Sequence, residues 1–134
     1  MAVVIDTSAL VEWEKADWNS ESFTQLEDEV IILPAIVWAE ALVGVRLANS
    51  SKRAAHRRAR LEAIRNVTGI EPFSPEIAEH YADIFAELHR QGSLIPQNDM
   101  AVAATARCFK CPVLISANDE AHFRRIEALQ CKVI

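Results

Sequence analysis

Short apolar runs of strand length alternate with longer stretches of helical periodicity along this chain of 134 residues. Pro34 and Pro75 stand at helix starts and Gly92 follows the longest helical stretch, which are typical positions for these residues. Strands that alternate with helices build a parallel sheet covered by helices. The pattern therefore predicts an α/β fold in one domain, residues 1–134. Strands are predicted over residues 2–5, 30–33, 69–73, 112–116 and 131–134, and helices over 8–15, 21–27, 35–48, 51–67, 75–91, 98–109 and 121–126.

Four acidic residues adjoin these apolar elements, although a carboxylate is costly to bury. Asp6 ends the first strand, Asp119 follows the fourth, and Asp99 opens the helix between the third and the fourth. Glu40 lies on the apolar side of the helix after the second strand. Ligands of open parallel sheets bind at the carboxyl ends of the strands, so all four acids can converge there. Carboxylates brought together share protons or hold cations, and their oxygens suit Mg²⁺ or Mn²⁺.

Two of these acids could instead be helix caps. Asp6, Thr7 and Ser8 are all residues that satisfy the free N–H groups of a helix start, and Asp6 could bind a metal while Thr7 or Ser8 caps. Asn98 or Asp99 could likewise cap the helix that starts near residue 100. The support for Asp99 as a site residue comes from the other three acids, which are expected at the same edge of the sheet.

The other two acids also have structural alternatives. Glu40 could form a buried ion pair with Arg46 or another base. The polar turn after the fourth strand could be a plain loop. Within that turn we assign Asp119 to the site, with Ser116 and Asn118 as neighbours that could hold a metal-bound water.

Charge is distributed unevenly around the net value of −5. Residues 1–45 carry one Lys against nine acids, whereas residues 46–65 carry seven Lys or Arg against one acid. The candidates for contact with nucleic-acid phosphates are Lys52, Arg53, Arg57 and Arg60, and the alternative is a solvated helix face. A basic segment beside an acidic one can attract a polyanion while a metal neutralises the acids.

The sequence gives weaker support for other classes of functional site. Cys108 and Cys111 form a C-x-x-C pair that His122 and Cys131 could complete as a zinc set, but small buried hydrophobic residues are the default interpretation. No Gly-rich phosphate loop and no nucleophile–His–acid arrangement is legible. We expect no membrane span and a cytoplasmic protein, because no apolar stretch approaches about 20 residues and the N-terminus carries no signal-peptide pattern.

Four motifs together resemble the PIN domain family, and most closely its VapC-type toxin ribonucleases. They are Val-Val-Ile-Asp-Thr-Ser-Ala-Leu near the N-terminus, the helix around Ala39-Glu40, Asn98-Asp99 ahead of Ala-Val-Ala-Ala, and Leu-Ile-Ser-Ala-Asn-Asp-Glu-Ala-His-Phe-Arg-Arg-Ile. The resemblance implies a three-layer α/β/α sandwich with a five-stranded parallel sheet. It also implies a Mg²⁺- or Mn²⁺-dependent endoribonuclease that forms homodimers and is inhibited by a small VapB-like antitoxin.

The resemblance assigns the metal-site and catalytic acids to Asp6, Glu40, Asp99 and Asp119. The assignment of Asp119 follows from its four-residue distance to Phe123, and the Ser/Thr that the family carries before this acid corresponds to Ser116. The alternatives are a PIN-like scaffold that binds RNA or protein without cleavage, and a phosphohydrolase. A phosphohydrolase of the haloacid-dehalogenase type would carry a second Asp two residues after Asp6, where this chain has Ser8.

Overall fold

A computed structural model describes residues 1–16 and 26–134 of the chain. Four parallel strands form one sheet in the order β2-β1-β3-β4. Val4 of β1 pairs with Ile32 on one side and Val113 on the other, so β1 lies in the interior of the sheet. Unbroken apolar sequence is what strands buried on both faces require. The strands are β1 (Ala2–Ile5), β2 (Val30–Ile32), β3 (Val113–Ile115) and β4 (Cys131–Val133).

Helices connect the strands and flank the sheet, which confirms the predicted α/β architecture. The predicted helix over residues 21–27 lies largely outside the described residues. The predicted helix over 121–126 is shorter than expected and follows a 3₁₀ turn, Ala117–Asp119. The helices are α1 (Thr7–Lys15), α2 (Ala35–Arg46), α3 (Ser51–Thr68), α4 (Pro75–Gln91), α5 (Gln97–Phe109) and α6 (Glu120–Phe123).

The fifth strand predicted over residues 69–73 is reduced to a single bridge. The Glu71 amide donates to the Leu33 carbonyl and the Glu71 carbonyl accepts from the Ala35 amide, each at 2.8 Å. The partner segment turns into α2 at Ala35, directly after this bridge, so no extended backbone remains with which the ladder could continue. Glu71 therefore extends the edge of the sheet beyond β2 by one residue, and the described part of the chain contains four strands.

The core is densest around α5. Nearly every residue from 100 to 106 is buried, because this Ala-rich helix is covered by α4 on one side and contacts β1 and β3 on the other. On α4, Ile77, Ile84 and Leu88 recur at helical spacing and are at most 1% exposed. Among the described helices, none combines the length and apolar character needed to cross a membrane.

The topology brings three polar segments to one edge of the sheet. β1 ends directly before Asp6, β3 ends before the 3₁₀ turn that carries Asp119, and the first turn of α5 carries Asp99. β1 and β3 are neighbours and run in parallel, so their carboxyl ends lie side by side. The candidate site is built at this edge.

Candidate metal centre

Asp6 directly follows β1 and is the N-cap of α1. Its Oδ2 accepts hydrogen bonds from the Ser8 amide at 3.3 Å and from the Ser8 hydroxyl at 2.7 Å, and the residue is 1% exposed. The Ser8 hydroxyl oxygen also accepts from the Ser116 amide at 3.0 Å. The capping alternative is therefore correct for Asp6, and Ser8 ties the end of β1 to the end of β3.

Asp6 holds its proton far more tightly than an ordinary aspartate. Burial raises the pKa of Asp6 to about 7. The hydrogen bonds from Ser8 lower this pKa, whereas a hydrogen bond with Asp119 and the charge of Asp99 raise it. The carboxyl group of Asp6 is therefore poorly suited to carry a negative charge in this site without a counter-charge. A divalent cation could replace the proton of Asp6 and relieve the repulsion among the carboxylates.

Asp99 lies in the first turn of α5 without capping it. The helix begins at Gln97, its N-cap is Pro96, and no side chain caps it, so the predicted capping role of Asn98 or Asp99 is wrong. The reason is that the N-cap, Pro96, lies two positions before Asn98 and three before Asp99, so both residues fall inside the first turn. Burial raises the pKa of Asp99, the hydrogen bond with His122 lowers it, and the charge of Asp119 raises it.

Asp6, Asp99 and Asp119 form an acidic trio. One carboxylate oxygen of each lies within 4.8 Å of the others. Asn118, one residue before Asp119, is exposed to solvent. Of the two neighbours, it is Asp119 whose carboxylate lies with the other acids. Oxygen donors at this spacing fit a hard divalent cation such as Mg²⁺ or Mn²⁺.

Glu40 stands beside the trio without belonging to it. Its Oε1 accepts a hydrogen bond from the Thr7 hydroxyl at 2.8 Å, and its charge contributes to the raised pKa of Asp99. The alternative ion pair with Arg46 is absent, because the Arg46 guanidinium donates to the Leu42 carbonyl on its own helix. Glu40 is half-buried. It therefore adds a fourth negative charge at the rim of the site.

His122 is the residue that the sequence motifs did not assign to this site. Its Nδ1 lies 2.7 Å from Asp99 Oδ2, in contact with one member of the trio. The available signal was its spacing: His122 follows Asp119 by three positions, which places both on one side of a helical turn. The zinc alternative finds no support, since in residues 1–16 and 26–134 the acidic trio is the one group arranged to hold a metal and the cysteines are free and half-buried.

The four basic candidates divide into two pairs. Arg57 donates to both Glu14 carboxylate oxygens, at 2.8 and 3.3 Å, and Arg60 donates to the Glu14 backbone carbonyl. Lys52 and Arg53 are exposed and form no ion pair with any described residue. Arg57 and Arg60 thus attach α3 to the last turn of α1, and Lys52 and Arg53 stay available to a ligand. These four side chains line a groove of about 1140 Å³ that none of the four acids lines.

Comparison with known proteins identifies relatives over nearly the whole chain. The family profile described as PIN domain matches residues 3–129. Ribonuclease VapC1 of Rickettsia felis is 30% identical over 131 residues, 97% of this chain and 94% of that protein. Ribonuclease VapC of Rickettsia bellii is 26% identical over 130 residues, with the same two coverages.

Solved structures share the fold over the full length. The crystal structure of VapBC2 from Rickettsia felis bound to a DNA fragment from their promoter superposes with a TM-score of 0.86 at 22% identity. The alignment covers 100% of this chain and 99% of that chain. The chain therefore belongs to the PIN domain family, which confirms the resemblance drawn from its sequence motifs.

Proposed function

We propose that this protein is a metal-dependent endoribonuclease and the toxin of a VapBC-type toxin–antitoxin pair. The observation that carries the metal-dependent reaction is the convergence of Asp6, Asp99 and Asp119, whose carboxylate oxygens lie within 4.8 Å of one another. Three acids held this close, one of them 1% exposed, are unfavourable without a counter-charge. A cation cofactor, Mg²⁺ or Mn²⁺, supplies that charge.

The names of the relatives support the ribonuclease and toxin assignments. Two relatives that match nearly the whole chain are named Ribonuclease VapC or VapC1. A solved structure with the same fold is a VapBC complex. By this likeness we infer that RNA is the substrate and that a small VapB-like antitoxin is the inhibiting partner. Homodimerisation remains a prediction from the family resemblance.

The cation would be held by the acidic trio, with Glu40 at the rim. When bound, such a cation lowers the pKa of a coordinated water and offsets the negative charge of the phosphate. The side chains around the trio fix its oxygens: Ser8 holds Asp6 Oδ2, and Thr7 holds Glu40 Oε1. Because metal ligands must be deprotonated and the pKa of Asp6 is raised, occupation of the site by a cation would favour the ionised form of Asp6.

The substrate would meet the basic helix α3 through its two free cations. Lys52 and Arg53 are exposed and form no ion pair with the described residues, so they are available to phosphate oxygens. Arg57 and Arg60 are committed to Glu14 and have a structural role. We therefore narrow the predicted RNA contacts to Lys52 and Arg53.

A direct test is cleavage of tRNA and rRNA by the purified protein with Mn²⁺ and with excess EDTA. We expect Asp6→Asn and Asp99→Asn to leave less than about 1% of the wild-type rate, because several kcal/mol of charge stabilisation are lost. Asp83→Asn is the matched control, since Asp83 is an exposed acid on α4. Full cleavage by both site variants, or in EDTA, would exclude the mechanism and favour a scaffold that binds RNA or protein without cleavage.

A further inference from the structure

We propose that His122 is a positioning residue of the metal centre, one that fixes the orientation of the Asp99 carboxylate. By donating to Oδ2, the imidazole would hold the Asp99 carboxylate in one orientation for a cation. The inference rests on the proposed function, because it concerns a ligand of the proposed metal. It adds a residue that the four-acid assignment does not contain.

The contact between the two side chains is short and sheltered. Nδ1 of His122 lies 2.7 Å from Oδ2 of Asp99, and the side chains are 34% and 14% exposed, respectively. A carboxylate that binds a cation is ionised and can only accept hydrogen bonds, so in the proposed metal-bound state Nδ1 carries the hydrogen. Hydrogen bonds to a charged acceptor at this distance are roughly twice as strong as neutral ones.

The turn that carries His122 is itself well anchored. It runs through the 3₁₀ turn into α6, where Phe123 is 0% exposed and fixes the segment in the core. Asp119 belongs to the same turn. One short segment thus carries a proposed ligand, Asp119, and also His122, which holds a second proposed ligand, Asp99 of α5.

The hydrogen bond from His122 matters because a carboxylate without such a partner can rotate. An Asp side chain without a partner samples both orientations of its oxygens, and ordering it costs free energy when the cation binds. Partners that hydrogen-bond to metal ligands remove this cost, and their loss lowers metal affinity by roughly 10–100-fold. His122 therefore affects the affinity of the site for the cation without contacting it.

Calorimetric titration of the purified protein with Mn²⁺ tests the proposal without reference to cleavage. We expect His122→Ala to weaken Mn²⁺ binding by at least about tenfold. His122→Asn should restore affinity to within about threefold, because the Asn amide nitrogen can occupy the position of Nδ1 and donate. Arg124→Ala is the control on the same turn, since its exposed ion pair is with Glu120.

The outcomes separate this proposal from the proposed function. If the wild-type protein binds no Mn²⁺, the metal-dependent function fails, and the role of His122 fails with it. If the wild-type protein binds and His122→Ala binds equally well, the role of His122 alone is wrong. Failure of His122→Asn to restore affinity also contradicts a positioning role. Circular dichroism checks folding, and His122→Leu, which has no donor, replaces the Ala variant if that variant does not fold.

Discussion

The Thr7 hydroxyl donates a hydrogen bond to Glu40 Oε1 at 2.8 Å, and so connects the first turn of α1 with the middle of α2. Glu40 is half-buried beside three other carboxylates, and this bond holds it at the rim of the trio. The orientation of the fourth acid therefore depends on a hydroxyl 33 residues away.

Replacement of Thr7 tests this dependence. We expect Thr7→Val to lower the cleavage rate by about tenfold while the fold survives, because one hydrogen bond to a charged group contributes roughly 1.5 kcal/mol. Thr7→Ser keeps the hydroxyl and should retain most of the activity. Single-turnover cleavage rates at saturating Mn²⁺ provide the measurement, and equal rates for the Val and Ser variants would contradict the prediction.

The raised pKa of Asp6 predicts how stability depends on pH. The folded pKa is about 7 against an ordinary value of 3.8, so the folded protein binds more protons than the unfolded chain between these values. Without metal, the Asp6 contribution to stability is complete below about pH 4 and is lost as the pH rises through 7. We expect Asp6→Asn, which carries no ionisable group, to raise the melting temperature at pH 8 in EDTA and to flatten the pH dependence.

Urea unfolding from pH 4 to pH 8 in EDTA measures this effect. The difference in unfolding free energy between Asp6→Asn and wild type should grow with pH by a few kcal/mol, in order of magnitude. Asp83→Asn serves as control, because Asp83 is exposed and no partner contacts it among the described residues. A wild-type protein that gains stability from pH 5 to pH 8 would contradict the assignment.

Addition of metal should reverse the destabilisation. A cation that binds only the folded state stabilises it by about 2.7 kcal/mol at a concentration 100 times its Kd. For a domain of this size we expect a rise in melting temperature of roughly 8 °C. The rise should vanish in Asp99→Asn and persist in Asp83→Asn. An equal rise in both variants would show that the cation binds elsewhere.

The ion pair between Glu14 and Arg57 restricts the space for a side chain at position 44. A Cβ at Gly44 would lie 2.1 Å from Arg57 Nη1, the end of a flexible side chain, so Gly44→Ala must move the guanidinium and weaken its ion pair with Glu14, which is 8% exposed. We expect a loss of about 1–3 kcal/mol in unfolding free energy. In an Arg57→Met background the same substitution should be stabilising by about 0.5–1 kcal/mol, since Ala favours a helix over Gly.

A double-mutant cycle by urea unfolding measures this coupling. The four proteins are the wild type, the two single variants and the double variant. Additive effects would show that Arg57 does not constrain Gly44.

Lys52 and Arg53 should affect RNA binding without affecting the fold. We expect the Lys52→Ala, Arg53→Ala double variant to weaken binding of single-stranded RNA and to reduce the salt dependence of log K by about 1.4, or about 0.7 per lost phosphate contact. The melting temperature of this variant should equal that of the wild type. Fluorescence anisotropy at several salt concentrations, on the cleavage-deficient Asp99→Asn background, gives both quantities. Arg90→Ala, an exposed cation on α4, is the matched control.

Local sequence patterns identified the parts of the site that depend on local structure. Asp6 and Asp119 were found because each lies in the polar segment after an apolar strand, and strand ends are where parallel sheets bind ligands. Asp99 was found because it opens an apolar helix. The expected fifth strand was wrong because the pattern counted apolar residues in the segment itself, whereas the length of a ladder also depends on the partner segment, which turns into α2 at Ala35.

Contacts between distant elements were beyond the reach of these patterns. His122 meets Asp99 from 23 residues away, and Glu14 meets Arg57 from 43 residues away. Nothing in the sequence near Arg57 distinguishes it from Arg53, although one is structural and the other free. Such pairs depend on how α1, α3 and α5 are arranged around the sheet, which helical periodicity does not specify.

Helix α1 is capped by Asp6 and carries Glu14 in its last turn, where Arg57 and Arg60 attach the basic helix. Nine residues at the rise of an α-helix span about 13 Å, and such a rod does not stretch. If Lys52 and Arg53 bind an RNA strand that is cleaved beside Asp6, the length of α1 contributes to the distance between the bound phosphates and the cleaved bond. That distance would then be fixed by the fold and would not depend on the base sequence of the RNA.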